Sequence, residues 1–275
     1  MPVLKLMAVL AHPDDESMGM GSTLAKYVAE GVEVSLVVAT RGDAGRFRGH
    51  APGSPEHPGA EALAALRERE LHAACDVLGI GDRVVLEYHD QQLDRADPGR
   101  AIAEIAREIR RLRPDVVLTF GPEGGYGHPD HIAISQLAAA ALVEAAAPGA
   151  HRHVDAGGDA QAVAKFYYLA WPSSVLRAFE AAFRRLASTV DGHERPAVPW
   201  PDWMITTELD TGSHWQTAWR AVACHESQVA AYERLRGLKP AEHEAIWRWQ
   251  HYYRVFSRVN GGRRRETDLF EGLCR

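Results

Sequence analysis

The sequence predicts an α/β fold: a single Rossmann-like domain on a mostly parallel sheet, with its site at the carboxyl ends of strands one and four. Three observations carry this reading. Apolar runs alternate with stretches of helical periodicity from residue 4 to residue 169. The runs are continuous in apolar residues, as in strands covered on both faces. The two densest concentrations of ionisable residues directly follow the first and fourth runs, where open α/β sheets keep their ligands.

Taken in order, Leu4 to Leu10 reads as the first strand, about 17–29 as a helix, and Glu33 to Ala39 as the second strand. The stretch Thr40 to Pro58 carries four glycines and three prolines, a loop too long for a simple connector and so one with a task of its own. A helix over about Gly59–Leu78 follows, its apolar stripe running Leu63, Arg67, Leu71, Ala74, Leu78. An arginine on that stripe either pairs with Glu70 or offers its guanidinium to a substrate or to the acidic motif. Next come a short strand at Val84–Leu86, a polar loop bearing Asp90, a helix over about 100–112 and the fourth strand, Val116–Phe120. An alanine-rich helix then runs to about Ala147. Beyond a Gly- and Ala-rich linker, 148–162, the pattern loosens: strands at Lys165–Leu169 and Ile205–Leu209, a loop at Pro196–Trp203, and helices over 213–235 and 241–257.

Composition sets the outer bounds. With 275 residues, 46% of them hydrophobic, the chain can build one core, and residues 1–275 read as one domain with 148–275 its more variable part. A net charge of −6 argues against a nucleic-acid surface, and Arg263-Arg264-Arg265 reads as solvated surface. Three scattered cysteines, Cys75, Cys224 and Cys274, exclude a disulfide framework or a thiolate zinc cluster. No stretch is long and apolar enough to span a bilayer, and the amino terminus runs into the first strand without the zones of a signal peptide, so a cytoplasmic protein is expected. Association into a homo-oligomer stays open.

The chemistry concentrates in two segments. His12-Pro13-Asp14-Asp15-Glu16 places four ionisable groups in five residues behind a buried strand. Without partners, such charges cost several kcal/mol each to bury, about the cost that a bound cation offsets. Gly121-Pro122-Glu123-Gly124-Gly125-Tyr126-Gly127-His128-Pro129-Asp130-His131 is the second, with His131 in the first turn of a helix, where the macrodipole keeps an imidazole neutral and able to ligate. With strands in the order 3-2-1-4-5, the two segments face each other across the switch-point crevice. Histidine and carboxylate donors without thiolate suit zinc or a similar divalent ion, and three donors leave a position for water.

Ala11-His12-Pro13-Asp14-Asp15-Glu16 together with His128-Pro129-Asp130-His131 resembles the zinc-dependent N-acetylglucosaminyl de-N-acetylase family (PIG-L or LmbE-like proteins), most closely its inositol-linked and mycothiol branch. The resemblance extends over about residues 4–145, through Thr40-x-Gly42-Asp43-x-Gly45, Arg67-x-x-Glu70 and Gly125-Tyr126-Gly127, and returns at Cys224-His225-Glu226-Ser227-Gln228. It implies a hydrolase that removes the acetyl group from an N-acetylglucosamine-containing small molecule and uses one Zn2+, or iron or another divalent ion, per chain. By the same resemblance His12, Asp15 and His131 would be the metal ligands and Asp14 the general base toward water. His128 would stabilise the oxyanion or protonate the departing amine, with Asp130 orienting its ring. Tyr126 would add a hydroxyl near the oxyanion, and Arg67 and Asp90 would grip substrate hydroxyls.

Two alternatives stand beside it. Mycothiol-conjugate amidases carry a lysine where this chain has Gly19, which weighs against an amidase cleaving a glucosamine-linked thiol conjugate. A nucleotide-binding Rossmann module would need a third glycine where Leu24 stands, and an acidic cluster at that strand end repels phosphate.

Overall fold

A computed structural model describes residues 3–148, 158–182, 186–190, 192–262 and 264–273. Most of the expected linker, Arg263 and Cys274 lie outside the described residues. Cys75 is buried, Cys224 half-buried, and both are free thiols.

The amino-terminal half alternates as expected. Strand β1 (Lys5–Leu10) leads through a single turn, α1 (Asp15–Met18), into helix α2 (Gly21–Ala29) and strand β2 (Glu33–Thr40). Helix α3 (Ala60–Leu78), strand β3 (Asp82–Tyr88), helix α4 (Pro98–Leu112) and strand β4 (Val116–Phe120) follow. A kinked turn, α5 (Gly124–Gly127), precedes helix α6 (Pro129–Ala146) and strand β5 (Lys165–Leu169). Beyond these come helix α7 (Ser173–Ala182), a hairpin of β6 (Ala187–Val190) and β7 (His193–Pro196), and strand β8 (Thr207–Asp210). Helices α8 (Trp215–Val222), α9 (Val229–Arg236) and α10 (Pro240–Trp247) and strand β9 (Trp249–Ser257) complete the order.

The main sheet has seven strands in the order β3-β2-β1-β4-β5-β9-β8. Its first five strands are parallel, in the 3-2-1-4-5 arrangement expected, and every residue of β4 and all but the first of β1 and β2 is buried, because helices cover both faces. Leu10 and Phe120 therefore end neighbouring strands, and the chain leaves them on the two sides of one crevice.

The carboxyl-terminal part departs from expectation in two places. The helix expected over 241–257 stops at Trp247, and Trp249–Ser257 is a strand that pairs antiparallel with β5 on one side and β8 on the other. Its aromatic and β-branched content, Tyr252, Tyr253, Val255 and Phe256, suits a strand between two partners better than an exposed helix. The helix expected over 213–235 breaks between Val222 and Val229, and the break holds the segment Cys224–Gln228.

One buried carboxylate ties this region together. Glu266 accepts from Lys165 Nζ at 2.6 Å, Tyr167 OH at 2.7 Å, Thr207 Oγ1 at 2.9 Å, Arg254 Nη1 at 2.8 Å and Asn260 Nδ2 at 2.7 Å. Those donors come from β5, β8, β9 and the turn after it, so one side chain staples three strands. Burial opposes its charge, but the hydrogen bonds from Lys165, Asn260 and Tyr167 hold its pKa below the usual carboxylate range.

Candidate metal centre and active site

The crevice is built from the turn after β1 and the segment after β4. Asp15 Oδ2 accepts the backbone N–H of Ala11 at 3.2 Å and of His12 at 2.8 Å, which folds the turn back on itself and leaves Oδ1 3.2 Å from His131 Nε2. His131 lies flat on Phe120, ring centroids 3.9 Å apart and planes 8° from parallel, with its Nδ1 3.2 Å from the Gly124 carbonyl. A carbonyl only accepts, so Nδ1 carries the proton and Nε2 presents a lone pair. His12 is arranged the same way: its Nε2 sits 3.1 Å from both Asp90 Oδ1 and Asp130 Oδ2, so the proton belongs there. Its Nδ1 then turns a lone pair toward His131 Nε2 at 3.2 Å and Asp15 Oδ2 at 3.6 Å.

His12 Nδ1, His131 Nε2 and the Asp15 carboxylate thus converge at separations of 3.2–3.6 Å, an arrangement that draws in a positive charge. Tetrahedral ligands of zinc, each about 2.0–2.2 Å from the ion, stand roughly 3.3 Å apart, close to the separations among His12, Asp15 and His131; His12 also groups with His128 and His131, and with Asp90 and Asp130, in sets that could hold an ion. The electrostatics agree. Burial opposes a charged His12, yet Asp90, Asp130 and Asp15 raise its pKa well above the ordinary value. Burial likewise opposes ionised Asp15, and His131 and His12 hold it well below the carboxylate range.

His128 brings a third ring nitrogen within 4.8 Å of those of His12 and His131, and could seem an equal ligand. Its Nδ1, however, accepts the backbone N–H of Asp130 at 3.2 Å, which leaves the proton on Nε2 and makes that atom a donor. Burial, together with the neighbouring His12 and His131, pushes its pKa down to about 3. His128 is therefore a neutral hydrogen-bond donor beside the triangle.

Asp14 stands at φ 107°, ψ −22°, a region L-residues rarely occupy and one that costs on the order of 1–3 kcal/mol. Its Oδ2 lies 3.4 Å from Arg67 Nη2. Arg67, nearly fully buried, also donates to the carbonyls of Pro13 at 2.5 Å and Gly42 at 3.1 Å, while the neighbouring Glu70 accepts from the Ser227 backbone and hydroxyl. Glycine is required at position 42: φ is +68°, and a Cβ would lie 2.2 Å from the guanidinium. His12, Asp14, Asp15, Arg67, Asp90, Tyr126, His128 and His131 all line one cavity of about 220 Å³, together with Met18, Trp171, Phe179 and Leu186.

All nine residues singled out from the sequence come together here, but two have different neighbours from those expected. Asp130 does not orient the His128 ring with its carboxylate, which instead meets His12 Nε2 and accepts the backbone N–H of Gln91 at 2.6 Å and Leu93 at 3.1 Å. Only its backbone N–H reaches His128, because the first turn of α6 directs the side chain across the crevice. Asp90, expected to grip substrate, lies against His12, which holds its pKa at about 2 despite burial. The Tyr126 ring packs edge-on to His131 at 5.2 Å.

Sequence reasoning assigned no task to Glu16, Gln91 or His225. Glu16 and His225 are 209 positions apart, and only the folded chain joins them.

The comparisons with known proteins bear on this geometry. Residues 7–142 match the family model described as "PIG-L: GlcNAc-PI de-N-acetylase". A protein of Kineococcus radiotolerans named 1D-myo-inositol 2-acetamido-2-deoxy-alpha-D-glucopyranoside deacetylase is 35% identical over 98% of this chain and 83% of its own length. This chain belongs to the PIG-L family. Two solved structures share the PIG-L fold seen here. One is the N,N'-diacetylchitobiose deacetylase of Pyrococcus horikoshii, with TM-score 0.65 and 19% identity over 91% of this chain and 83% of that one. The other is GalB of Pseudomonas putida KT2440, a 4-carboxy-2-hydroxymuconate hydratase, with TM-score 0.66 and 21% identity over 94% of this chain and 99% of that one. A hydratase on the same scaffold means that function must be argued from the PIG-L site residues.

Proposed function

We propose that this PIG-L protein is a metal-dependent N-deacetylase that hydrolyses the acetamide of an N-acetylglucosamine-containing small molecule, with an inositol-linked sugar, as in the name of its relative, the first substrate to try. The observation that carries the reading is the acceptor triangle of His12, Asp15 and His131 with a carboxylate, Asp14, and a neutral imidazole N–H, His128, lining the same cavity. Amide hydrolysis needs that combination: a base for water, and a donor for the charge that develops on the carbonyl oxygen.

A divalent ion held by His12, Asp15 and His131, with zinc the first choice for this donor set, would supply Lewis acidity toward the carbonyl and a lower pKa for water. Asp14 takes the proton from the attacking water and, as the only one of the two groups charged to accept it, returns it to the departing amine. His128 donates its Nε2–H to the developing oxyanion; with a pKa near 3 it has no proton of its own to give the amine at neutral pH. Asp90 and Asp130 fix the His12 tautomer by accepting from Nε2, as carboxylates beside metal-bound histidines do. Arg67 holds Asp14 and exposes part of its surface to the cavity, where a sugar hydroxyl can reach it. The enclosed volume, below the roughly 300–1,000 Å³ of pockets for drug-sized ligands, suits one sugar ring inside and the remainder of the substrate at the mouth. We read 1–275 as one catalytic unit, because residues 225–228 brace the same turn as residues 12–16.

The test is amine release from a panel of N-acetylglucosamine conjugates alongside elemental analysis. About one equivalent of divalent metal, and activity abolished by chelation and restored by metal, supports the reading. Protein that is metal-free as isolated, takes up none, and releases no amine overturns it.

A further inference from the structure

Two wholly buried side chains behind Asp14, Glu16 and His225, have no part in the chemistry above. Glu16 Oε2 accepts the backbone N–H of Asp14 at 2.9 Å, while Oε1 accepts from the Ser17 hydroxyl and from His225 Nε2, the latter at 2.8 Å. The carbonyl of the same peptide group, that of Pro13, is held by Arg67 Nη2 at 2.5 Å. One peptide unit is therefore gripped at both ends, its N–H by a carboxylate and its C=O by a guanidinium, each sign matched to the bond dipole. The carboxylate grip is backed from a distant part of the chain, where His225 meets Glu16; from the same segment Ser227 meets Glu70, one turn along α3 from Arg67.

This clamp acts on the residue whose backbone is least comfortable. Rotation of the Pro13–Asp14 peptide would relax the positive φ of Asp14 and swing its side chain. A simple turn needs no wholly buried carboxyl and imidazole for that purpose; a hydroxyl or a water would satisfy one N–H at lower desolvation cost. A carboxylate fixed by a histidine 209 positions away holds the peptide plane in one orientation.

We propose that Glu16 and His225 are positioning residues that lock the Pro13–Asp14 peptide and so set the placement of the Asp14 carboxylate in the cavity. The proposal rests on the reading of Asp14 as the base, and it touches neither the metal ligands nor the substrate. A displacement of about 1 Å in a catalytic group costs on the order of 10²-fold in rate.

The test compares Glu16→Ala, His225→Asn, His225→Gln and Asp14→Asn for turnover of N-acetylglucosaminyl-inositol, bound metal and melting temperature. Gln carries a donor near the place of Nε2 and can still reach Glu16; Asn, its donor near the place of Nδ1, cannot. Glu16→Ala and His225→Asn should lose about 10²-fold in kcat with KM within twofold and metal content intact, and His225→Gln should recover most of the loss although its melting temperature matches that of His225→Asn. Should Glu16→Ala fail to fold, the two His225 variants decide alone. Equal turnover in His225→Asn and His225→Gln, or loss of metal in step with loss of rate, overturns the proposal and leaves Glu16 and His225 a packing pair. An Asp14→Asn variant with full activity overturns the assignment of Asp14 instead, and is recognised independently of the others.

Discussion

His12 Nδ1 and His131 Nε2 face each other at 3.2 Å, each turned there by a hydrogen bond on the far side of its ring. Two lone pairs beside the Asp15 carboxylate repel until a positive charge enters between them. Burial opposes a charge on His12, but Asp90, Asp130 and Asp15 hold its pKa well above that of an ordinary histidine.

Metal uptake at neutral pH is therefore expected to release a proton from His12. Since the His12 pKa is raised well above its ordinary value, the ring competes for a proton with the metal, and apparent affinity should rise with pH. Calorimetry in buffers of different ionisation enthalpy measures the proton count, and a count of zero would contradict the assignment. His131→Ala should bind little metal under any of these conditions.

Asp14→Asn should retain its metal and lose about 10²–10⁴-fold in kcat, the range for removing a general base, with little change in KM. Turnover and elemental analysis on the same preparation check both halves.

For His128, the Ala variant should lose about 10²–10³-fold in kcat, the usual effect of removing an oxyanion donor. Because the His128 pKa is about 3, its protonation should leave no acidic limb in the rate profile between pH 5 and 8. A limb in that range that vanishes with the Ala variant would return His128 to the role of proton donor.

Gly42→Ala is expected to act through Arg67. Its new Cβ would meet the Arg67 guanidinium at 2.2 Å, displacing the group that holds Pro13 and Asp14. Turnover should fall to a level near that of Arg67→Ala, and the double variant should cost little more than either alone, as coupled residues do.

Stability should respond to acid through Glu266. Its folded-state pKa lies below the unfolded one, so the stabilisation is complete above the unfolded pKa and is lost as pH falls through the folded pKa. Glu266→Gln should destabilise by about 3–5 kcal/mol at neutral pH, because Lys165 and Arg254 lose their counter-charge, and the gap to the parent should narrow in acid. Urea titrations of both proteins from pH 7 to pH 3 measure it.

The sheet order and the meeting of the two ionisable clusters were legible in the sequence because β1, β2 and β4 are continuous apolar runs and each cluster directly follows one of them. Strand β9 was not, since a short helix ending at Trp247 lets the same window be read as one long helix. The neighbours of the Asp130 carboxylate were not legible for a different reason: its neighbour in sequence is His128, but its partner in space is 118 positions away. Local spacing cannot distinguish such partners, and the tautomer of His12 depends on them.

The family match stops at residue 142, yet the carboxylate that holds the N–H of the Pro13–Asp14 peptide is itself held by His225, and Glu70 of helix α3 by Ser227, more than eighty residues later. Chimaeras that exchange the carboxyl-terminal third between relatives would thus inherit a mismatched brace unless positions 16 and 70 travelled with the graft. Recombination points in such hybrids should be chosen by that pairing and not by the boundary of the matched region.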